Sequence, residues 1–125
     1  MTKRVLVVED DPDMAEVMLM TLESAGYITH AAANGKLALD AIAAQLPDLI
    51  LLDMMMPVMD GWECAREVRG RFGRIPIVVV TAAEHARARA EEIDADDVLS
   101  KPFDVQALLE IVEKNLEQTA RALTN

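Results

Sequence analysis

The chain has 125 residues, a size that suits one domain built around one hydrophobic core. It is 52% hydrophobic and 27% charged, which excludes a disordered tail, and no apolar run approaches the ~20 residues that cross a bilayer. Basic residues number 12 against 22 acidic ones, a net charge of −10, which argues against a direct grip on nucleic acid and suits cations or basic partners. The opening MTKRVLVVEDD reaches acids too soon for a signal peptide, and the lone Cys64 allows no internal disulfide. Both point to a cytoplasmic protein, with Cys64 as a small buried apolar residue.

Strand and helix patterns alternate five times. Residues 4–8, RVLVV, predict the first strand. Asp11 then caps a helix whose first position is Pro12, where the missing N–H costs nothing. Met14, Met18, Leu22 and Ala25 mark its inner face, and Gly26 stops it. A weaker strand over 27–31 leads through Asn34-Gly35 into a helix carrying Leu37, Ile42 and Leu46, which Pro47 ends. Residues 49–52 form the third strand, and Asp60 with Glu63 has capping-box spacing at the start of the third helix. Residues 75–80, entered through Pro76, read as the clearest buried strand. A helix near 84–93 offers only Ala83, Ala86, Ala90 and Ile93 to the core. Val98-Leu99 is a short fifth strand, and Asp104 caps a last helix with Val105, Leu108, Leu109, Val112 and Leu116 at helical spacing.

Continuous aliphatic strands separated by helices predict a parallel sheet covered on both faces. The expected fold is α/β: a doubly wound (βα)5 three-layer sandwich whose five-stranded parallel sheet runs in the order 2-1-3-4-5. Residues 1–125 form a single domain with no repeat, linker or low-complexity segment.

In such a sheet, ligands bind outside the carboxyl ends of the strands, near the switch in strand order. Strand one ends in Glu9-Asp10, strand three in Asp53, strand four in Thr81, and strand five runs into Ser100-Lys101. Taken singly, each of these is ordinary: an acid after a strand is usually a turn or a cap, Thr81 could be a helix cap and Lys101 an exposed charge. Together they gather three carboxylates, a hydroxyl and an ammonium on one rim. Three adjacent carboxylates raise one another's pKa, and a hard divalent cation such as Mg²⁺, which takes oxygen ligands and waters, removes the conflict. His30, His85 and Cys64 lack the spacing of a softer-metal site. A cation beside a carboxylate, with lysine and hydroxyl opposite, is equipment for phosphoryl transfer, and an Asp can be the nucleophile.

The stretches RVLVVEDDP, LPDLILLDMMMPVMDG, IPIVVVTA and DDVLSKPF resemble the receiver domain of two-component response regulators, in order and over nearly the whole chain. The resemblance implies a flavodoxin-like fold with Asp53 as phosphoacceptor and Thr81 and Lys101 as partners of the phosphoryl oxygens. It implies Mg²⁺ held by Asp10, by Glu9 through water, by Asp53 and by the backbone carbonyl of Met55, and a cis bond at Lys101-Pro102. Its implied partners are a histidine kinase or histidine phosphotransfer protein upstream and another protein downstream, with no direct nucleic acid and no membrane. The module would be no enzyme beyond slow self-dephosphorylation, and would stand alone in this chain. Three features differ from the family's usual pattern. Val98 occupies the position of a usual aromatic, Thr81 and Lys101 are 20 residues apart, somewhat closer than is common, and Asp94 stands near a usual Gly.

Two other functions stay in view. One is a binding module that docks partners without phosphorylation. The other is an Asp-nucleophile phosphatase, which lacks support because Met55 stands where such hydrolases carry a second Asp. No GxGxxG or P-loop occurs to suggest a nucleotide. Met54, Met56 and Met59 read as flexible packing rather than a copper site.

Overall fold

Strands that are aliphatic on both faces need a covering layer on each side. The computed structural model, which describes residues 2–56 and 58–124, has both layers; the side chains of Ala83 and of 119–124 lie outside the described set. In chain order the elements are β1 (Arg4–Val8), α1 (Pro12–Ser24), β2 (Ile28–Ala32), α2 (Gly35–Ala44), β3 (Leu49–Asp53), α3 (Gly61–Phe72), β4 (Ile77–Ala82), α4 (Ala86–Glu92), β5 (Asp97–Lys101) and α5 (Val105–Thr124). A 3-10 turn, Ala83–His85, precedes α4. All strand pairs are parallel and the order is β2-β1-β3-β4-β5, as the sequence predicts.

The period of two along each strand divides the core. Val5, Val7, Leu49, Leu51, Val78 and Val80 pack with Met18, Leu22, Leu108, Val112 and Leu116 of α1 and α5. Leu6, Val8, Ile50, Leu52, Ile77 and Val79 pack with Ala38, Leu39, Ile42, Cys64, Ala65 and Val68 of α2 and α3. Ala90, Ile93 and Val98 join that second cluster only as half-buried residues.

The caps fall where expected. Asp11 accepts from the amides of Asp13 and Met14, Asn34 from Leu37, Asp60 from Glu63, and Asp104 from Ala107. The inner face of α2 differs from the expectation. Ala38, Leu39 and Ile42 are buried, whereas Leu37 is 48% and Leu46 61% exposed. Leu37 lies on the outer side of the helical turn, and Leu46 lies beyond the helix end at Ala44. On α1 Ala25 is the exposed C-cap residue, and on α5 Val105 is exposed.

Strand limits shift by one or two residues. β2 begins at Ile28 rather than Tyr27. β4 begins after Pro76 and extends through Thr81 to Ala82, while Ile75 is buried outside the strand. β5 has five residues, because pairing with β4 continues through the polar pairs Val78↔Asp97, Thr81↔Ser100 and Ala82↔Lys101. Hydropathy marks only the buried centre of an element and misses ends whose backbone is paired but whose side chains are polar.

Candidate functional site

Parallel register assembles the site. Val8 pairs with Leu52, so the next residues, Glu9 and Asp53, emerge side by side. Asp53 pairs with Val80 on its other side, which brings Thr81 to the same rim. Lys101 closes it from β5, opposite Ala82. These residues and Asp10 line one cleft of about 440 Å³, with Met55, His85 and Arg89 at its edges. A separate hollow of about 270 Å³, at the amino ends of β1 and β2, is lined by Arg4 and His30 and contains none of the acid cluster.

Glu9 and Asp53 are buried, Asp10 is exposed, and one carboxylate oxygen from each lies within 4.8 Å of the others. Lys101 Nζ is 3.1 Å from Glu9 Oε1 and 3.7 Å from Asp53 Oδ1. The Asp11 amide donates to Glu9 Oε2 at 3.3 Å, and the Met55 amide to Asp53 Oδ1 at 3.3 Å. Burial, followed by the charge and hydrogen bond of Glu9, pushes the Asp53 carboxyl up to about 7, against the opposing pull of Lys101 and the Met55 amide. At Lys101 burial would lower the ammonium, but the Glu9 hydrogen bond and the charges of Asp53, Glu9 and Asp10 outweigh it and raise the pKa. Crowded carboxylates with one buried acid held near neutrality are what a divalent cation would relieve. The donor set is all oxygen, which fits Mg²⁺.

The loop after Asp53 is gripped from two sides. Gly61 N–H donates to Met54 O at 3.1 Å, and Gly35 N–H to Met59 O at 3.3 Å. A Cβ on Gly61 would lie 2.7 Å from Met54 Cα, and one on Gly35 2.9 Å from Met59 O, so glycine alone permits each approach. Met54 and Met56 are buried and Met59 is half-buried against the α2–α3 cluster, whereas Met55 is 64% exposed at the cleft. Val58 has φ of 69°, an outlier for a β-branched residue, so this loop stores backbone strain. Cys64 is buried beneath it, and burial followed by the Asp60 charge pushes its thiol up to about 11.

The structure thus brings all six sequence-derived site residues, Glu9, Asp10, Asp53, Met55, Thr81 and Lys101, to one cleft. The Lys101-Pro102 peptide is cis. Asp94, near the family's usual Gly, has φ of 52°, the left-handed conformation that glycine adopts without cost. The α3–α4 contact beside the cleft leaves almost no trace in the sequence. Arg89 lies 4.6 Å from the centre of the Trp62 ring, and the Trp62 indole N–H donates to Glu92. Its one sequence signal is the i,i+3 spacing of Arg89 and Glu92, which is too common to single out.

Residues 5–113 match the response regulator receiver domain family. Response regulator MprA of Mycobacterium tuberculosis is 40% identical over 121 residues, covering 95% of this chain and 53% of that protein. The chain therefore spans about half the length of the curated relatives it matches. A crystal structure of a response regulator from Chloroflexus aurantiacus superposes with a TM-score of 0.86 at 34% identity, covering 94% of this chain and 99% of that one. Chemotaxis protein CheY4 of Vibrio cholerae gives 0.82 at 30% identity, covering 91% and 98%. Motif order, strand order and these matches agree: the chain belongs to the response regulator receiver domain family.

Proposed function

We propose that residues 1–125 act as one phosphoacceptor module in which Asp53 takes a phosphoryl group from a phosphohistidine of a histidine kinase or phosphotransfer protein. A carboxylate oxygen of Asp53 attacks phosphorus in line, the P–N bond breaks, and its electron pair stays on the imidazole nitrogen. Lys101 and the Thr81 hydroxyl meet the phosphoryl oxygens. Asp10, Asp53, Glu9 and the Met55 carbonyl would hold Mg²⁺, which when bound supplies positive charge that keeps Asp53 ionised and offsets charge on the transferred group. The phosphorylated module then presents an altered surface to a downstream protein. No helix among the described residues is long and apolar enough to cross a membrane.

One observation carries this proposal: a buried Asp53 shares its cleft with Lys101 at 3.7 Å and with two further carboxylates. Incubation with acetyl phosphate and Mg²⁺ should add the mass of one phosphoryl group to the intact protein, and Asp53→Asn should abolish the gain. An unchanged mass, while a known receiver reacts alongside, would overturn the proposal. Equal partner affinity with and without phosphodonor would favour a docking module instead, and steady turnover of a phosphate ester would favour a phosphatase.

The phosphorylated form should be long-lived. Met55 and Ala83, two positions beyond Asp53 and Thr81, have no acid or amide to orient an attacking water. Following the phosphorylated mass after donor removal tests this, and rapid decay would refute it.

A further inference from the structure

Arg89 is a cation of the acceptor cleft that the phosphotransfer step leaves unused. It lines the same cleft as Asp53 and Lys101, yet its guanidinium is engaged elsewhere. It stacks on Trp62 at 4.6 Å from the ring centre, and Nη1 lies 3.8 Å from Glu92 Oε2. Glu92 also accepts the Trp62 indole N–H. Trp62 belongs to α3, and Arg89 and Glu92 to α4, so these three side chains tie the helices together. Among the described residues, Arg89 Nε is buried without a hydrogen-bond partner. The guanidinium therefore holds a donor in reserve.

Charge says when that donor is called on. Glu9, Asp10 and Asp53 face one ammonium, and a divalent cation offsets the remaining negative charge. A phosphoryl group then replaces the single charge of Asp53 by about two. The excess falls in a cleft whose lining includes one more permanent cation, Arg89. The present partners are weak competitors: Glu92 is 44% exposed, so its pair with Arg89 is screened, and the stacked indole is half-buried. A phosphoryl group offers the planar fork two charge-assisted hydrogen bonds.

We propose that Arg89 senses phosphorylation. When Asp53 carries a phosphoryl group, the guanidinium leaves Trp62 and Glu92, donates Nε–H and Nη–H to phosphoryl oxygens, and releases α4 from α3. This rests on the phosphoacceptor reading and deepens it, since Val98 provides no ring to carry the change from the cleft to its surroundings.

Trp62 is the sole tryptophan, so its emission reports the α3–α4 tie directly. Wild type and Arg89→Gln are each titrated to saturation with Mg²⁺ and beryllofluoride, a phosphoryl mimic. Wild-type emission should shift to the red as the indole loses Arg89 and gains water, and the variant should lose most of that shift. In wild type, which needs no variant to fold, the Arg89 Nε–H resonance should move and exchange more slowly with solvent on saturation. An equal red shift in Arg89→Gln, or an unmoved Arg89 Nε–H in the saturated wild type, overturns the proposal. Failure of the acceptor reading looks different: the protein then neither gains phosphoryl mass from acetyl phosphate nor titrates with beryllofluoride, and the sensing role falls with it.

Discussion

At the β1–β3 side of the carboxyl rim, the strands that deliver Glu9 and Asp53 are buried on both faces, and Gly61 and Gly35 clamp the loop that follows. The β4–β5 side is built differently. Its helix α4 has seven residues, Ala86 as its buried residue, and half-buried Ala90 and Ile93 against the core. Part of its attachment is polar and partly exposed, through Arg89 and Glu92 to Trp62. Burial stabilises at about 25 cal/mol per Å² of apolar surface, and an alanine face supplies little of it. The Asp53 side is thus held by packing and the α4 side in part by polar contacts that are partly exposed. Under the proposed function, a rigid acceptor beside a loosely tied helix would let a local chemical event move the helix without moving the chemistry.

This contrast can be broken or sharpened by substitution. The largest effect is expected at Gly61→Ala, whose added Cβ would meet the Met54 backbone. It should cost about 2–3 kcal/mol in urea unfolding, since backbone rather than a flexible side chain must give way. A near-neutral result would mean that the acceptor loop is as yielding as α4.

A smaller effect concerns pH in the metal-free protein. Asp53 is held at about 7 when folded against an ordinary value of 3.8, so the folded state binds this proton more tightly than the unfolded chain. Its contribution to stability is therefore fully present below the lower value and lost as pH rises through the folded one. Asp53→Asn cannot ionise and escapes this loss. In chelator it should exceed wild type by about 1–2 kcal/mol near pH 8, discounted for partial solvent screening, and the two should converge near pH 4. Urea melts at both pH values measure the gap, and a gap that ignores pH would remove Asp53 as its source.

The smallest effect belongs to the α4 side. Asp94→Gly should stabilise by about 0.5 kcal/mol, because glycine adopts the left-handed conformation without steric cost. The thermal midpoint should rise slightly. A fall would mean that the exposed pair of Asp94 with Arg74, 3.6 Å apart, outweighs backbone strain.

The central strands, the helix caps and the gathering of polar strand ends at one cleft were legible in the sequence because each follows from local pattern. Val5 to Val8 and Leu49 to Leu52 are aliphatic without interruption, and Asp53 and Lys101 announce themselves as charges at strand ends. The α2 face was misread because leucines outweigh alanines in hydropathy, yet Ala38 is buried and Leu37 exposed. Close approach to the neighbouring layer selects small side chains there, and hydropathy carries no information about approach. The ends of β4 and β5 were missed because backbone pairing leaves no apolar trace. The Trp62–Arg89–Glu92 contact joins residues about thirty positions apart, a pairing that only packing reveals.

Register has one more consequence. Glu9 and Asp10 follow the first strand, Asp53 ends the third, Thr81 lies in the fourth and Lys101 ends the fifth, so no fragment of the chain owns the chemistry. On the proposed reading of Asp53, the acceptor would gain Lys101 only once the fifth strand has docked, so a truncation before that strand is expected to remove acceptance of phosphate. Under the proposed function, readiness to accept phosphate would then certify that folding has finished.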